Sequence, residues 1–298
     1  MFAKMGHGWA MAKGSFAVLK RYPGLAIFPI ISGLIFFLIA GGLIVSLAPE
    51  IGLFHQTFDP VWDRLGSTDA GQIKFYIAAF VVIYILTVVA VFCNVALIYC
   101  VLRCFQGQEP SIGDGFTAAV GRLPQILGWA LVAATIGVIL NIIECFLRDK
   151  LGFLGSFIGK MFEFGWAVVT FFVLPVLVVE GLGPIAAVRR SSSILKQKWG
   201  ESLAGGARFG LLGVLFALIA MAIFGLGMAI VFSKGVGGLG GLGVLLMAIG
   251  VAVFLASIVV LQALNTIFLS GVYLYATTGQ VPASLDPEMV QGAFRPKS

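Results

Sequence analysis

Along the chain, long uncharged apolar stretches alternate with short segments where basic residues, glycine and proline gather. The stretches run from Gly24 to Ala48 (25 residues), Phe75 to Leu102 (28), Leu123 to Ile143 (21) and Phe209 to Ser233 (25). At about 1.5 Å per helical residue each covers the roughly 30 Å of a bilayer's hydrocarbon, so each predicts a spanning helix. Between Glu163 and Glu180 only 16 uncharged residues remain, Pro175 among them. That is less than the usual ~17 to 25, so a helix crosses here only if one Glu enters the membrane. From Gly235 to Leu285 no charge appears for 51 residues, and six glycines between Gly235 and Gly243 mark a turn. One long, tilted helix is expected from Val244 onward. The pattern predicts six spans.

The segments between them repeat. Every even-numbered span ends in the same form: Gly107-Gln108-Glu109-Pro110, Gly181-Leu182-Gly183-Pro184 and Gly279-Gln280-Val281-Pro282. A glycine closes a helix in the left-handed conformation, and a proline three residues on suits the first turn of the next helix. Each odd-numbered span is preceded by an amphipathic stretch. Its apolar positions are Phe2, Met5, Trp9, Ala12, Phe16 and Leu19 before the first. They are Ile112, Phe116, Ala119, Val120 and Leu123 before the third, and Ile185, Val188, Ser192, Leu195 and Trp199 before the fifth. Such stretches predict surface helices in the headgroup plane, basic side toward lipid phosphates. Three units follow, approximately 1–107, 108–181 and 182–280, with a tail at 281–298, all within one membrane domain.

Composition agrees with lipid as the solvent. Of 298 residues 60% are hydrophobic and 11% charged, and the mean hydropathy is +1.06, against roughly half apolar and a quarter charged in soluble proteins. Gly24 to Ala48, ending in the small-residue triplet Ser46-Leu47-Ala48, is too long for a cleaved signal and is expected to be retained. With six spans, one side collects 13 Lys and Arg and the other 6. The positive-inside rule then places both termini in the cytoplasm of a multi-pass protein of the plasma or inner membrane. The surplus of basic residues, +6 overall, points to anionic lipid headgroups rather than to nucleic acid.

Little in the chain supports chemistry. Its two histidines, His7 and His55, fall in surface segments, and no aspartate falls within a span. Neither a catalytic set nor a metal or cofactor site is expected, since intramembrane proteases need ligand clusters or paired carboxylates. Gly235-Val236-Gly237-Gly238-Leu239-Gly240 fits a dinucleotide-binding pattern but joins two spanning helices, where the pattern carries no such meaning. Cys93, Cys100 and Cys104 share a helix face and are expected to pack as small apolar residues. Small-residue pairs at Ala133/Gly137, Gly155/Gly159 and Gly206/Gly210 predict close helix contact. Arg189-Arg190 followed by three serines has the form of a basophilic phosphorylation site.

Two candidate sites remain. Asn94, Glu180, Gln262 and Asn265 are polar residues in the spans, and either bond between helices or line a path. Arg103 and Arg208 are the partners expected for Glu180. Arg189, Arg190, Lys196 and Lys198 form a candidate surface for lipid headgroups or a partner.

Leu19-Lys20-Arg21-Tyr22-Pro23-Gly24-Leu25-Ala26-Ile27-Phe28-Pro29-Ile30 resembles the opening of a set of uncharacterised prokaryotic six-span integral membrane proteins. These are similar to the membrane domain attached to some glycerophosphodiester phosphodiesterases. The resemblance extends to Glu180-Gly181-Leu182-Gly183-Pro184, Arg189-Arg190-Ser191 and Trp199. It implies the six-span fold. Phosphodiesterase activity is not implied, because the acidic and histidine residues of such a site are lacking.

The sequence thus predicts an all-α polytopic membrane protein of six helices in three hairpins, each preceded by a cytoplasmic amphipathic helix. Its expected role is non-enzymatic: a scaffold or accessory subunit in contact with lipids, a partner membrane protein or a second copy. The alternative is a transporter or channel for a small solute or lipid, with a polar path between the hairpins.

Overall fold

A computed structural model describes residues 14–47, 69–198, 207–234 and 239–279, and among these every regular element is helical. Residues 14–21 are helical and lead through a 3-10 turn, Pro23–Ala26, into α1, Ile27–Leu47. There follow α2 (Asp69–Phe105), α3 (Ile112–Gly121), α4 (Leu123–Leu151), α5 (Phe153–Val169) and α6 (Val173–Val179). The last three are α7 (Pro184–Lys198), α8 (Ala207–Lys234) and α9 (Leu239–Thr278). Six stretches are long and apolar enough to span: Pro23–Gly42, Tyr76–Phe105, Leu123–Leu151, Phe153–Val179, Gly213–Ser233 and Gly241–Thr278. This is the expected all-α, six-span polytopic fold. Large apolar side chains such as Phe153 and Phe232 stand more than four-fifths exposed, as a protein surface facing hydrocarbon requires.

The Gly-x-x-Pro turns behave as their residues dictate. Gly107, Gly181 and Gly279 all adopt positive φ, at 76°, 65° and 74°. At the end of α2 the N–H of Gln108 donates to the Arg103 carbonyl and that of Gly107 to the Cys104 carbonyl, the paired bonds that close a helix on a left-handed residue. At the end of α9 a single bond from Gly279 to the Tyr275 carbonyl does the same. Pro282 lies outside the described residues.

By packing the chain divides into two compact units, Phe28–Tyr99 with Ser111–Ser193, and Met1–Ile27 with Cys100–Pro110 and Ile194–Ser298. In the first, α4 and α5 form a hairpin around Gly152, whose φ is 57°. Gly155 lies so close to α4 that a Cβ there would overlap the Leu147 carbonyl, and one at Gly159 would meet Glu144 Cγ at 2.8 Å. Trp129 and Trp166 stack across the same pair, with ring centroids 6.1 Å apart. In the second unit α8 and α9 approach equally closely, a Cβ at Gly227 falling 2.5 Å from the Gly243 carbonyl and one at Gly250 2.8 Å from the Phe224 nitrogen. Small residues at a helix contact let backbones approach where lipid supplies no hydrophobic drive between helices. Of the pairs named from sequence, Gly155/Gly159 makes such a contact. Gly137 meets nothing within 4 Å and faces outward, and Gly206 lies outside the described residues.

Two expectations change. The fourth span is not short: it runs from Phe153 through α5 to Val179 and takes in Glu163, with Lys160 Nζ 3.0 Å from Glu163 Oε2 and 3.3 Å from Glu144 Oε2. The span also breaks at Thr170–Phe172, four residues before Pro175, whose ring would clash with the carbonyl at Phe171. The glycine cluster is not wholly a turn either, since α9 begins at Leu239 and Gly243 packs against Gly227. Residues 235–238 lie outside the described residues.

The surface helices, finally, bury small residues and leave several large apolar ones exposed. Phe16, Ile112, Val120 and Ile185 of the apolar stripes are exposed, while Ala119 of a stripe and Ser15, Gly115, Ala187 and Ser191 beside the stripes are buried. Some stripe residues do point inward, such as Leu19 and Leu195, and Phe116 lies between Phe28 and Phe92, at ring separations of 5.3 and 6.0 Å. The larger side chains lose nothing by facing lipid, so small residues take the tight side. Phe2, Met5, Trp9, Ala12 and Trp199 lie outside the described residues.

Replacing Gly155 by Ala is expected to lower stability by about 1–3 kcal/mol through overpacking against rigid backbone, read as a lower melting temperature in detergent. Gly165→Ala, where nothing lies within 4 Å, should leave melting unchanged or raise it.

Candidate functional site

The densest polar arrangement lies where α6 ends and α7 begins. At the break before α6, Phe172 N–H finds its acceptor in Ser191 Oγ of α7, 3.0 Å away, with both residues fully buried. A backbone donor without a partner in lipid costs several kcal/mol, so this bond fixes which face of α7 turns inward. It also removes Ser191 from the surface that a phosphorylation site needs.

At the other end of α6, Glu180 is held by Arg190, whose Nε lies 3.0 Å from each carboxylate oxygen. Arg190 sits one position before Ser191, so the inward turn of Ser191 brings its guanidinium across the Gly181–Pro184 turn. Arg122, between α3 and α4, packs so tightly on Gly181 that a Cβ there would overlap its guanidinium. Its Nη2 donates to the Val178 carbonyl at 3.4 Å, and Gln125 Nε2 donates to the Gly181 carbonyl at 3.5 Å. A helix's last carbonyls carry partial negative charge, and cationic or amide donors placed there stabilise its end. Gly181 is thus required twice, by its φ of 65° and by this contact.

The two candidate sets divide accordingly. Of the first, Asn94 is half-buried and donates to the Ala90 carbonyl of its own helix at 2.9 Å, while Glu180 belongs to the turn just described. Both lie in the unit containing α3 to α6, whereas Gln262, half-buried, and Asn265, exposed, lie in the other. Of the second, Arg190 turns toward Glu180, while Arg189 and Lys196 are exposed. The side chains of Lys198 and Arg208 lie outside the described residues. Glu180 therefore takes Arg190, ten residues on, as a partner that its sequence neighbourhood had assigned to the lipid-facing set.

Cys93, Cys100 and Cys104 are buried free thiols, in keeping with packing. Among the described residues no group of three or more His, Cys, Asp or Glu could hold a metal ion; His7 and His55 lie outside them. Arg122 was not singled out by spacing or charge, although an Arg-x-Pro sequence at Arg122–Pro124 and again at Arg21–Pro23 marks it.

The chain belongs to a family of unknown function (DUF6159), whose profile matches residues 73–283, more than two thirds of its length. The match takes in Arg122, the Gly181–Pro184 turn and all of α7. No curated protein and no solved structure matches the chain.

Ser191→Ala should destabilise by about 1–3 kcal/mol, because it leaves a buried N–H unsatisfied, whereas Ser192→Ala, at a half-buried position, should cost little. Thermal unfolding of the two variants checks this. A double-mutant cycle on Glu180→Gln and Arg190→Gln should return a coupling of about 0.5–1 kcal/mol, as befits a pair partly open to solvent. A coupling of zero would remove Arg190 as the partner.

Proposed function

We propose that this is an integral membrane protein without catalytic activity of its own, acting as a lipid- or partner-binding accessory through the outer face of α7. The observation that supports this reading most is the fixed orientation of α7. Ala187 and Ser191 are fully buried on one side, and Arg189 and Lys196 are exposed on the other. A basic helix pinned by its small residues presents its charges outward at no cost in packing. Anionic headgroups gain about 1 kcal/mol for each Lys or Arg held near them. The excess of basic residues on the side shared by α7 and both termini, 13 against 6, favours the cytoplasmic leaflet of the cell membrane as that surface.

The test is the affinity of the purified chain for a short-chain anionic phospholipid in detergent, at low and high salt. Arg189→Gln with Lys196→Gln should weaken it about tenfold or more at low salt and flatten its salt dependence. Unchanged affinity at matched melting temperature would remove α7 from the role.

A further inference from the structure

Each of the first two repeats places an Arg-x-Pro sequence where its surface helix hands over to the spanning helix: Arg21-Tyr22-Pro23 and Arg122-Leu123-Pro124. In the unit that contains α3 to α6, a cavity of about 370 Å³ opens beside Arg122. Its walls include Val95 and Tyr99 of α2, Asp114 and Thr117 of α3, and Val178 of α6. In the other unit a cavity of about 340 Å³ opens beside Arg21, walled by Val18, Tyr22, Cys104, Phe105 and Gly107. The correspondence extends to the turn glycines. Arg122 packs on Gly181, and Gly107 helps to wall the cavity of Arg21. Two copies of one sequence pattern have built two cavities with the same components: a guanidinium, a tyrosine, an apolar wall and, close by, a left-handed glycine ending an even-numbered span.

We propose that these cavities bind the phosphate groups of two membrane phospholipids, with Arg21 and Arg122 as the phosphate ligands. A guanidinium presents its donors as a fork that matches two phosphate oxygens. At the first residues of a span it lies at the depth where lipid phosphates sit, the level toward which intramembrane Arg and Lys reach. The volumes suit a small polar group with the start of a glycerol backbone against the apolar wall. Tyr22 lines one cavity, and Tyr99 and Thr117 line the other. The cavities differ in one charge. Asp114 gives the Arg122 cavity a carboxylate about two helical turns from its cation, the chemistry that accepts a headgroup ending in an amine. Among the described residues no carboxylate lines the Arg21 cavity. The Arg122 cavity therefore prefers phosphatidylethanolamine, and the Arg21 cavity takes phosphatidylethanolamine and phosphatidylglycerol alike. This inference rests on the reading that the protein works in contact with lipid, but it uses residues distinct from Arg189 and Lys196.

The test is native mass spectrometry of the full chain, released from detergent after exchange into an equal mixture of phosphatidylethanolamine and phosphatidylglycerol. Two tightly retained phospholipids are expected. Arg21→Gln and Arg122→Gln should each lose one, with occupancy roughly tenfold lower or less, and the double variant should lose both. Asp114→Asn should keep two lipids while removing the ethanolamine preference at one. Arg122 also caps Val178, so Thr117→Val, which leaves that contact alone, serves as a second probe and should weaken one lipid without lowering the melting temperature. A double Arg variant that melts as the native chain does and still retains both lipids would overturn the proposal. Retention of inorganic phosphate by the lipid-free chain in place of lipid, with the same Arg dependence, would overturn the lipid as its source. If Arg189→Gln with Lys196→Gln leaves the two retained lipids in place, the cavities stand apart from α7, whatever the fate of α7's own role. Loss of both lipids in that variant would overturn the assignment to Arg21 and Arg122.

Discussion

In lipid, each backbone N–H and C=O must be satisfied within the protein, and the local features of this chain follow from that constraint. It makes every regular element among the described residues a helix and directs attention to where the helices stop. At Gly107 and Gly279 the left-handed turn returns donors to the last carbonyls. At Gly181 the carbonyls of Val178 and Gly181 receive side-chain donors from Arg122 and Gln125. Within the fourth span Pro175 forces a break, and Ser191 supplies the acceptor that the break removes from Phe172. The polar residues of the α6–α7 turn are therefore accounted for first as closure of backbone bonds.

The same solvent explains why the surface helices turn as they do. In water an amphipathic helix buries its large apolar side chains because exposing them is costly. Next to acyl chains that cost disappears, and contact is decided by how closely backbones can approach. Gly115 with Ala119, and Ala187 with Ser191, are small residues four apart, and these form the buried faces. Phe16, Ile112 and Ile185 are left to the lipid.

How much was legible follows from the range of each interaction. Span number, the starts of five spans to within a few residues, and the three turn glycines depend on local composition and backbone conformation, which the sequence displays directly. The fourth span takes in Glu163, whose partner Lys160 also meets Glu144 from a neighbouring helix, a contact that the spacing of charges along one segment does not display. Glu180 stands out as a carboxylate at a span end, and Arg190, ten residues on, is a partner that its position in the next helix does not announce. Arg190 reaches it because the buried Ser191 sets the rotation of α7. Arg21 and Arg122 went unremarked because each counted as one more basic residue on the positive side. Their repetition before a proline was the available signal, and the cavities give it meaning.

The central claim is that three repeated units each end in a left-handed glycine at one face of the membrane, with six crossings between them. Cysteine labelling in intact cells and in inverted vesicles tests it most directly, in a Cys145→Ser background with single substitutions Gln108→Cys, Gly183→Cys and Thr278→Cys. The account predicts that an impermeant thiol reagent reaches all three from the cytoplasmic side and none from the outside. Labelling of any two from opposite sides would contradict the repeat and the even number of crossings on which the account stands.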